Sequence, residues 1–595
     1  MEPYSGAPHE KRPLAELFHR TADVLAIQGE NSFRILAYRK IARTLEDLPH
    51  DIATLAASED LDNTPGIGES SAAKIREYLK TGHIAEFEEL WSEIPPGVMD
   101  MMKIPSVGPK TAALLWHEGN ITSVPQLLES IDKKTVPEIK GIGEKKLEKI
   151  KQSIAYLAQS TGRIRLGTAY ALAQNLLDYL RQIPGVTRAE YCGSLRRGRE
   201  TIGDIDIALA ADPKLGPAIS KKVLAHPSVA ETLAAGDTKT RFRTSPDLGG
   251  GGGGVQVDVR VVPPESFGAA LQYFTGSLAH NVKLRERAVK KGLKLNEWGL
   301  FKGDKLIAGK TEEEIYQALD LAWMPPELRE DRGEFETFKL AAKPHFEILE
   351  LSHIRGDLHM HTTASDGSRS IEEMVAECKR RGYQYCAITD HSKSQFQANG
   401  LRSDRLLDHI KAIHAVAKQV KGILVLAGSE VDILADGSLD YEDELLAQLD
   451  WVVASPHAAL SQETEPATTR LMHAIANPHV CVIGHPTGRL VPTRRGLEPD
   501  MKRVVFAAAR AGVALEINAN CHRLDLRDTH AQLAVEAKVP LCINTDAHAF
   551  EDMDEMLFGI LTARRGWAQP KDVLNTRPVE AFTKWLKARK SEAGW

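Results

Sequence analysis

The 595-residue sequence has no long apolar run, few aromatic residues and only six cysteines. No stretch reaches the ~18 consecutive apolar residues that a membrane-spanning helix needs, and residues 1–12 lack the apolar core of a secretory signal. The cysteines show no CxxC spacing, which fits unpaired thiols in a reducing cytosol. With 43% hydrophobic and 26% charged residues, these absences exclude a membrane bundle, a disordered chain and a collagen-like fibre. We expect a cytoplasmic protein with no membrane partner.

The length predicts several domains, and charge is unevenly distributed along them. The whole chain has a formal net charge of −6. Residues 101–300 contain 29 Lys and Arg against 19 Asp and Glu, whereas residues 51–100 contain 3 against 11. A basic middle region can follow a polyanionic backbone, although an ordinary solvated surface explains the same counts.

Three glycine-bearing turns repeat within the first 150 residues, each between helical stretches. They contain Gly66 and Gly68, then Gly108, then Gly141 and Gly143. Such a turn closes tightly between two helices and leaves backbone N–H groups at a helix N-terminus, where a phosphate can dock. One copy would indicate only a turn. Three copies predict helix-hairpin-helix units that bind a phosphate backbone, with lysine-bearing helices at 70–79, 110–116 and 144–157.

From about residue 166 the pattern becomes mixed α/β. We expect a helix at 168–182, and strands at 189–192, 204–209 and 255–262, the last preceded by the six-glycine run 249–254. After residue 356, apolar strands alternate with helices, which predicts a parallel, barrel-like sheet. Polar residues recur at the carboxyl ends of these strands, where barrel enzymes place catalytic groups.

Three aspartates form the first chemical constellation. Asp204 and Asp206 share one face of a strand because side chains alternate, and Asp258 lies on a later strand between apolar neighbours. Carboxylates this close repel unless a divalent cation joins them, and hard oxygen ligands suit Mg²⁺ or Mn²⁺. Upstream, Gly193, Ser194 and Arg197 offer an N–H, a hydroxyl and a guanidinium to phosphate oxygens. A lone Asp-x-Asp pair would more simply be a solvated edge.

Histidines and acids form the second constellation. Thirteen of the 21 histidines fall in residues 353–595. Any single one is more simply a core or surface residue, as we expect for His409, His414, His473 and His479. Nine His, Asp and Glu positions, however, fall at or just after predicted strands, and mixed ligands of this kind suit Zn²⁺, Mn²⁺ or Fe²⁺. They are His359, His361, Asp366, His391, Glu430, His457, His485, Asp546 and His548.

The segment 193–206 resembles the signature of the DNA polymerase X family in its bacterial form. The resemblance implies that Asp204, Asp206 and Asp258 are catalytic and hold Mg²⁺ or Mn²⁺. It also implies that Tyr273 and Phe274 pack the sugar of an incoming deoxynucleoside triphosphate. The other nucleotide-binding and template-side positions that it implies are Arg163, Gly193, Ser194, Arg197, Gly203, Gly276, Asn281 and Arg285.

Two features bear on this resemblance. Vertebrate members carry arginine two residues before the third carboxylate, where this chain has Gln256, which leaves the proton path of the primer end open. In lyase-competent members a lysine after the first hairpin forms a Schiff base, and Lys74 holds the matching position, with Tyr38 and Arg34 at phosphate-supporting positions. Acidic neighbours weaken a lysine nucleophile, so Lys74 could instead contact only a phosphate or solvent.

The histidine-rich set resembles the PHP (polymerase and histidinol phosphatase) domain. The resemblance implies three ions, Zn²⁺ and/or Mn²⁺, which activate water against a phosphodiester. One ion would take His359, His361, Glu430 and Asp546. A second would take Glu430, His457 and His485, and a third Asp366, His391 and His548. Arg489 is a further candidate for a phosphate contact, although a surface arginine with no such role is the simpler interpretation.

The resemblance implies a multidomain repair polymerase that fills short DNA gaps, with 3′-5′ exonuclease or 3′-end processing in the PHP domain, acting in base excision repair on gapped or nicked DNA as a monomer. We expect helical helix-hairpin-helix domains, a mixed α/β nucleotidyltransferase palm with a thumb, and a distorted (β/α) barrel. The alternatives are a phosphoesterase with an impaired palm and a non-catalytic DNA-binding scaffold. The predicted segments are a lyase-like domain at 1–90, fingers-like hairpins at 91–165, palm at 166–265, thumb at 266–335, linker at 336–352 and PHP domain at 353–595.

Overall fold

The computed structural model describes residues 11–47, 52, 56, 61, 67–102, 104, 107–160, 162–249, 254–342 and 346–592. The chain divides into two compact units, Met1–Ser160 and Thr161–Trp595. Within the described ranges, no helix has the length and apolarity needed to cross a membrane.

The first unit is helical, as the repeat of glycine-bearing turns predicts. Its apolar residues form two clusters, one around Phe18 and Phe87, whose rings meet edge to face at 5.0 Å, and one around Val98 and Leu115. Three helices begin directly after the predicted turns, although Gly66 lies outside the described residues. The helices are α1 (Lys11–Ile27), α2 (Ser32–Asp47), α3 (Glu69–Thr81), α4 (Ala85–Ser92), α5 (Pro96–Met101), α6 (Pro109–His117), α7 (Val124–Asp132) and α8 (Glu144–Ser160).

A mixed α/β palm opens the second unit. Its five-stranded sheet has the order β2-β4-β7-β6-β5, in which only β4 and β7 pair in parallel. Alternating apolar residues of β4 and β7 face the helix α9 and form the core. The elements are β1 (Ile164–Arg165), α9 (Leu166–Leu180), β2 (Arg188–Tyr191), α10 (Gly193–Arg196), β3 (Thr201–Ile202), β4 (Asp204–Ala210), α11 (Gly216–Val223), β5 (Val229–Ala235), β6 (Lys239–Thr244) and β7 (Gln256–Val262).

A thumb follows the palm and is tied to it by a buried ionic network. The Glu312 carboxylate accepts from Arg196 Nη2 at 2.8 Å and from Arg329 Nη1 at 2.6 Å. Because two guanidiniums and one carboxylate share a dry site, removal of one partner leaves an uncompensated charge. The thumb comprises α12 (Phe267–Thr275), α13 (Leu278–Lys290), β8 (Lys294–Asn296), β9 (Gly299–Lys302), β10 (Lys305–Ala308), α14 (Glu312–Ala318) and α15 (Glu334–Thr337).

A seven-stranded parallel sheet forms the remainder of the unit, with strands adjacent in chain order. A parallel bridge from Met360 to Ala547 joins the segments that follow the first and last strands, so the sheet is nearly closed, as the βα alternation predicts. The strands are β11 (Gly356–Asp357), β12 (Tyr385–Ile388), β13 (Leu424–Asp432), β14 (Trp451–Ser455), β15 (Val482–Ile483), β16 (Ala514–Asn518) and β17 (Leu541–Asn544). The helices are α16 (Ile371–Arg380), α17 (Ser403–Gln419), α18 (Asp443–Leu446), α19 (Thr464–Ala476), α20 (Met501–Ala511), α21 (Asp528–Glu536), α22 (Met556–Arg565) and α23 (Val579–Glu592).

The palm and the barrel share packing within this unit. Cys521 and Phe558 of the barrel join the apolar core of the palm. Arg565 donates to Glu330 of the thumb at 2.9 Å and to Asp528 of the barrel at 2.7 Å. Apolar burial together with charged contacts therefore holds the palm, thumb and barrel as one compact body.

Candidate active sites

The three palm aspartates converge. Asp204 and Asp206 alternate with buried isoleucines along β4, so both project from the same face of the sheet. Asp206 lies opposite Asp258 in the parallel register of β4 and β7. One carboxylate oxygen from each of the three lies within 4.8 Å of the others. Oxygen ligands at this separation fit Mg²⁺ or Mn²⁺.

The charge environment of these aspartates favours a bound cation. Burial, with the charges of Asp204 and Asp258, raises the pKa of Asp206 to about 7. Burial alone would raise the pKa of Asp258, but hydrogen bonds and charge from Arg241 and Lys239 lower it. The sequence did not predict the roles of Lys239 and Arg241, because these side chains reach Asp258 from the neighbouring strand β6.

A cleft of about 560 Å³ opens beside Asp204 and Asp206. Most of the nucleotide-binding positions that the resemblance implied line it. Two lining residues, Arg199 and Leu278, were not predicted. Gly203 lies at the edge, where a Cβ would stand 2.9 Å from Arg163 Nη1. The predicted residues that line the cleft are Arg163, Gly193, Ser194, Arg197, Tyr273, Phe274, Gly276, Asn281 and Arg285.

Gly193 is the position in the cleft where the backbone requires glycine. Its φ is +62°, and an added Cβ would lie 2.4 Å from Asp206 Oδ2. Both the left-handed conformation and the close approach exclude a side chain there. The glycine therefore lets the start of α10 pack directly against the second aspartate.

Two polar residues of the cleft are already bonded to the protein. Arg197 donates from Nε to Glu330 at 3.0 Å and from Nη1 to the carbonyl of Thr275. Asn281 donates to the carbonyl of Tyr273 at 2.7 Å. These bonds fix the turn between α12 and α13 and orient both side chains at the cleft wall.

The nine predicted barrel residues also converge, on a buried centre. Their donor atoms form overlapping groups within 4.8 Å. His485 lies outside these groups but contacts Glu430, with Nε2 2.8 Å from Oε1. Nε2 of His457 lies 3.3 Å from the same oxygen, so both residues of the predicted second set contact Glu430, and the assignment of ligands to ions stays a prediction. The groups are His359, His361, Glu430 and Asp546; His391, Glu430 and His457; and His361, Asp366, His391 and His548.

Buried polar atoms without hydrogen bonds mark this centre. They include Nε2 of His359, Nδ1 of His361 and Nδ1 of His391. Nε2 of His457 and Oε2 of Glu430 are also buried and have no hydrogen bond. Buried polar atoms are normally satisfied. Here imidazole nitrogens and carboxylate oxygens face one another, as Nδ1 of His391 faces Oε2 of Glu430 at 2.9 Å, and this arrangement fits metal ligation. The mixed donor set suits Zn²⁺ or Mn²⁺.

A second layer of carboxylates orients the histidines. Nδ1 of His359 lies 2.8 Å from Glu516 Oε1, and Nδ1 of His457 lies 2.5 Å from Asp432 Oδ1. These contacts leave each Nε2 facing the centre, which is how outer carboxylates fix the tautomer of a metal-binding histidine. Neither Glu516 nor Asp432 was assigned this role from the sequence, since their partners lie far away in the chain.

The histidines of this centre differ in the pKa values of their side chains. Burial, with the nearby His548 and His391, lowers the pKa of His361 to about 4, which keeps that imidazole neutral. Burial alone would lower the pKa of His457, but Glu430 and Asp432 raise it to about 9. His361 is thus ready as a ligand at neutral pH, whereas a proton must leave His457 first.

Two arginines near the barrel centre have different surroundings. Arg523 is 19% exposed, and its Nε lies 3.4 Å from Asp546 Oδ2. Arg489 is buried, and its guanidinium donates to the carbonyls of Arg523 and Leu524 and pairs with Glu200. Arg489 is therefore neither a surface residue nor free to meet a phosphate, in contrast to both readings of the sequence, and its bonds hold the loop that carries Arg523.

Three of the histidines predicted to be core or surface residues lie outside the metal-ligand cluster and form hydrogen bonds elsewhere. They are His409, His414 and His473.

Lys74, the candidate Schiff-base lysine of the first unit, lies in a small charged cluster. Lys74 Nζ is 2.9 Å from Glu86 Oε2 and 3.1 Å from Ser70 Oγ, with 14% of its side chain exposed. Tyr38 donates to Glu86 at 3.3 Å, and Arg34 lies 3.8 Å from it. The acidic neighbour is therefore Glu86, which the sequence did not single out.

The hairpin glycines begin helices without side-chain caps. Gly68 and Gly108 are the N-caps of α3 and α6 and, having no side chain, leave the first N–H groups of these helices without a cap. Gly143 directly precedes α8, and Gly141 has φ +89°. The first N–H groups of a helix have no intrahelical partner, so these starts offer donors to a phosphate.

Comparisons with known proteins match several segments of this chain and, in one case, nearly its whole length. Among family models, a helix-hairpin-helix domain matches residues 9–84, a SAM-like helix-hairpin-helix tandem 98–155, the DNA polymerase beta thumb 270–330 and the PHP domain 357–520. DNA polymerase/3′-5′ exonuclease PolX of Bacillus subtilis (strain 168) is 38% identical over 580 residues, which is 96% of this chain and 99% of the relative. A probable phosphatase of Thermoanaerobacter sp. (strain X514) is 28% identical over 249 residues, 40% of this chain and 96% of the relative.

A polymerase-type thumb and a PHP domain on one chain define a class of enzyme, a nucleotidyltransferase joined to a metal-dependent phosphoesterase. The similarity to the B. subtilis protein extends through nearly all of both chains. This chain therefore belongs to the bacterial DNA polymerase X family that carries a PHP domain.

Proposed function

We propose that this protein fills short gaps in DNA by template-directed nucleotidyl transfer and trims 3′ ends with a 3′-5′ exonuclease in its barrel. The observation that carries the proposal is the presence of two separate convergent ligand sets on one chain. Its substrates are deoxynucleoside triphosphates and gapped or nicked DNA. We place it in the cytoplasm, in base excision repair, as a monomer.

In the palm, Asp204, Asp206 and Asp258 hold Mg²⁺ or Mn²⁺, which when bound favours loss of the primer hydroxyl proton and neutralises triphosphate charge. Arg163, held by Thr201 at 2.9 Å, faces the phosphates. Six further cleft residues complete the nucleotide site. Ser194 and Arg197 meet the phosphates, Tyr273 and Phe274 pack the sugar, Asn281 reaches the base, and Arg285 contacts the template side.

In the barrel, the nine-residue set holds three ions, Zn²⁺ and/or Mn²⁺, which when bound activate water and stabilise charge on the phosphodiester. Arg523 presents its guanidinium to the scissile phosphate, since it borders the centre and is partly exposed. Glu516 and Asp432 hold His359 and His457 in place. Outer carboxylates of this kind normally support affinity for the ion.

An impaired palm is the main alternative, because the six-glycine run precedes Asp258. The pairing of β6 with β7 continues without a break from Lys239–Arg260 to Arg243–Gln256. The third carboxylate therefore keeps its place opposite Asp206 despite the loop. This register favours an active palm over a purely phosphoesterase or scaffold function.

Extension and degradation of a labelled primer on gapped DNA test the proposal. Asp204→Ala should abolish extension and leave exonuclease activity intact, and His359→Ala should do the reverse. Each variant is the control for the other, since each tests one centre while the second reports folding. Extension by Asp204→Ala at the wild-type rate would overturn the palm assignment.

A 5′-deoxyribose phosphate lyase is a second candidate activity, favoured by the cluster around Lys74. The lysine amine would attack the sugar aldehyde and release water to give an imine, with Glu86 placed to take its proton. Borohydride reduction should trap wild-type protein on an incised abasic site and fail with Lys74→Ala. Equal trapping of both would contradict the assignment.

The hairpins are proposed to bind the DNA backbone through the helix starts after Gly68, Gly108, Gly141 and Gly143, with Gly66 in the first turn. A contact to phosphate is independent of sequence and sensitive to salt. Replacing Gly108 with valine, whose side chain would occupy the open space at the α6 start, should weaken binding to gapped DNA equally for all sequences. A change confined to one sequence would contradict phosphate docking.

A further inference from the structure

The third palm carboxylate receives hydrogen bonds on both of its oxygens. Arg241 donates from Nε to Asp258 Oδ1 at 2.8 Å, and Lys239 Nζ lies 3.3 Å from the same oxygen. Gln256 donates to Oδ2 at 3.0 Å. The Asp258 side chain is only 8% exposed, so its rotamer is fixed by these three donors.

The donors come from two strands in a fixed register. Arg241 lies directly opposite Asp258 in the antiparallel pairing of β6 and β7, and Gln256 lies two residues before Asp258 on the same face. A guanidinium adds a charge–charge attraction to its hydrogen bond with a carboxylate, whereas a neutral amide donor adds none. Of the two residues that donate hydrogen bonds to Asp258, Arg241 therefore holds the carboxylate more strongly than the neutral Gln256 does.

We propose that Arg241 is the positioning residue of the palm centre, which holds Asp258 in the orientation that completes the ion site next to the primer 3′ end. This inference rests on the proposed function of the palm. Arg241 acts through Asp258 and is not itself a catalytic residue. Its side chain is 37% exposed, so the competing reading is a simple contact to a DNA phosphate.

The chain offers a matched control on the same strand. Arg243 lies two residues further along β6, so it faces the same side of the sheet, but it pairs with Glu231 at 3.3 Å. Arg241→Gln should lower kcat for gap filling about 10- to 100-fold, the usual effect of losing an outer partner of a metal ligand, with the KM for DNA nearly unchanged. Arg243→Gln should leave kcat near that of the wild type.

Relocating the arginine separates positioning from DNA contact. In the double variant Arg241→Gln/Gln256→Arg, the guanidinium reaches Asp258 from its own strand, where the glutamine amide already does. We expect this protein to regain at least tenfold of the lost rate. Arg241→Lys should be intermediate, because it keeps the charge but loses the planar donor geometry. Exonuclease activity of every variant reports that the chain is folded.

Ion affinity provides the readout that does not depend on turnover. Free Mn²⁺ is measured by electron paramagnetic resonance during titration of the full-length protein with dideoxy-terminated gapped DNA and the correct nucleotide. Barrel ions are common to all variants, so a difference belongs to the palm. Arg241→Gln should weaken one Mn²⁺ site about tenfold or more, and the double variant should restore it.

Two results would overturn the proposal: Mn²⁺ affinity of Arg241→Gln within twofold of wild type, or no recovery of rate in the double variant. A loss seen only in the KM for DNA would assign Arg241 to the DNA backbone instead. If wild-type protein failed to extend primers, the proposed function would fail, while the Mn²⁺ titration would still decide the role of Arg241.

Discussion

The palm and barrel centres gather acidic and imidazole groups in contrasting ways. The palm offers three carboxylates, of which Asp204 is exposed and Asp206 half-buried, beside an open cleft. In the barrel, His359, His361 and Glu430 are fully buried and supported by a second layer. An open set of few ligands leaves positions for substrate oxygens, whereas a closed, supported set can retain ions before substrate arrives. The two centres should therefore differ in how firmly they hold metal.

The largest expected effect follows from removing the negative charge of Glu430, which belongs to two of the three barrel ligand groups. Glu430 contacts His359, His391, His457 and His485. Glu430→Gln keeps the shape but loses the charge that holds the ions, so exonuclease activity should fall roughly a thousandfold, the upper range for one transition-state group. Primer extension should persist, which a gel assay checks. Simultaneous loss of extension would break the separation of the two centres.

The stability of the palm depends on the buried ion pairs that attach the thumb to it. Glu312→Gln leaves Arg196 and Arg329 with an uncompensated buried charge, which should destabilise the palm–thumb region by about 3–5 kcal/mol. Calorimetric melting measures this, and the exposed pair Glu465–Arg503 supplies the control, Glu465→Gln, with no measurable change expected. Equal melting of both variants would contradict the role of the network.

The second layer of the barrel should matter less than its ligands. Glu516→Gln removes the carboxylate that orients His359 and should weaken metal retention and exonuclease rate about 10- to 100-fold. Metal content after dialysis and the degradation rate of a single-stranded primer test this. A loss as large as that of Glu430→Gln would make Glu516 a ligand in its own right.

The smallest expected effect is a difference in pH dependence. Asp206, whose pKa is about 7, holds a proton below that pH, and Mg²⁺ must displace it. The Mg²⁺ concentration for half-maximal extension should therefore rise by up to about tenfold per unit below pH 7 and stay flat from pH 8 to 9. His457 and His548 have pKa values of about 9, so reloading of the ion-free barrel should still improve from pH 8 to 9. Identical profiles for the two centres would contradict the comparison.

The sequence predicted the fold class and the convergence of ligands because short spacings encode them. Asp204 and Asp206 share a face by strand alternation, and the barrel ligands follow strand ends. The strand before His359 and His361 is only Gly356–Asp357, so these two ligands lie just after a strand.

What the sequence could not predict depends on register between distant strands. Arg241 meets Asp258 only through the pairing of β6 with β7, which the six-glycine run separates in the chain. Glu516 reaches His359 across the barrel. His391 and His485 both contact Glu430, at 2.9 and 2.8 Å, so the predicted division of the histidines among three ions stays a prediction.

Metal analysis of the purified full-length protein tests the central claim most directly. After dialysis against metal-free buffer, wild-type protein and Asp204→Ala should each retain about three ions per chain, one for each barrel ligand group, and Glu430→Gln should lose them. Contradiction would come from a wild-type protein that retains none, or from an Asp204→Ala variant that loses as many ions as Glu430→Gln.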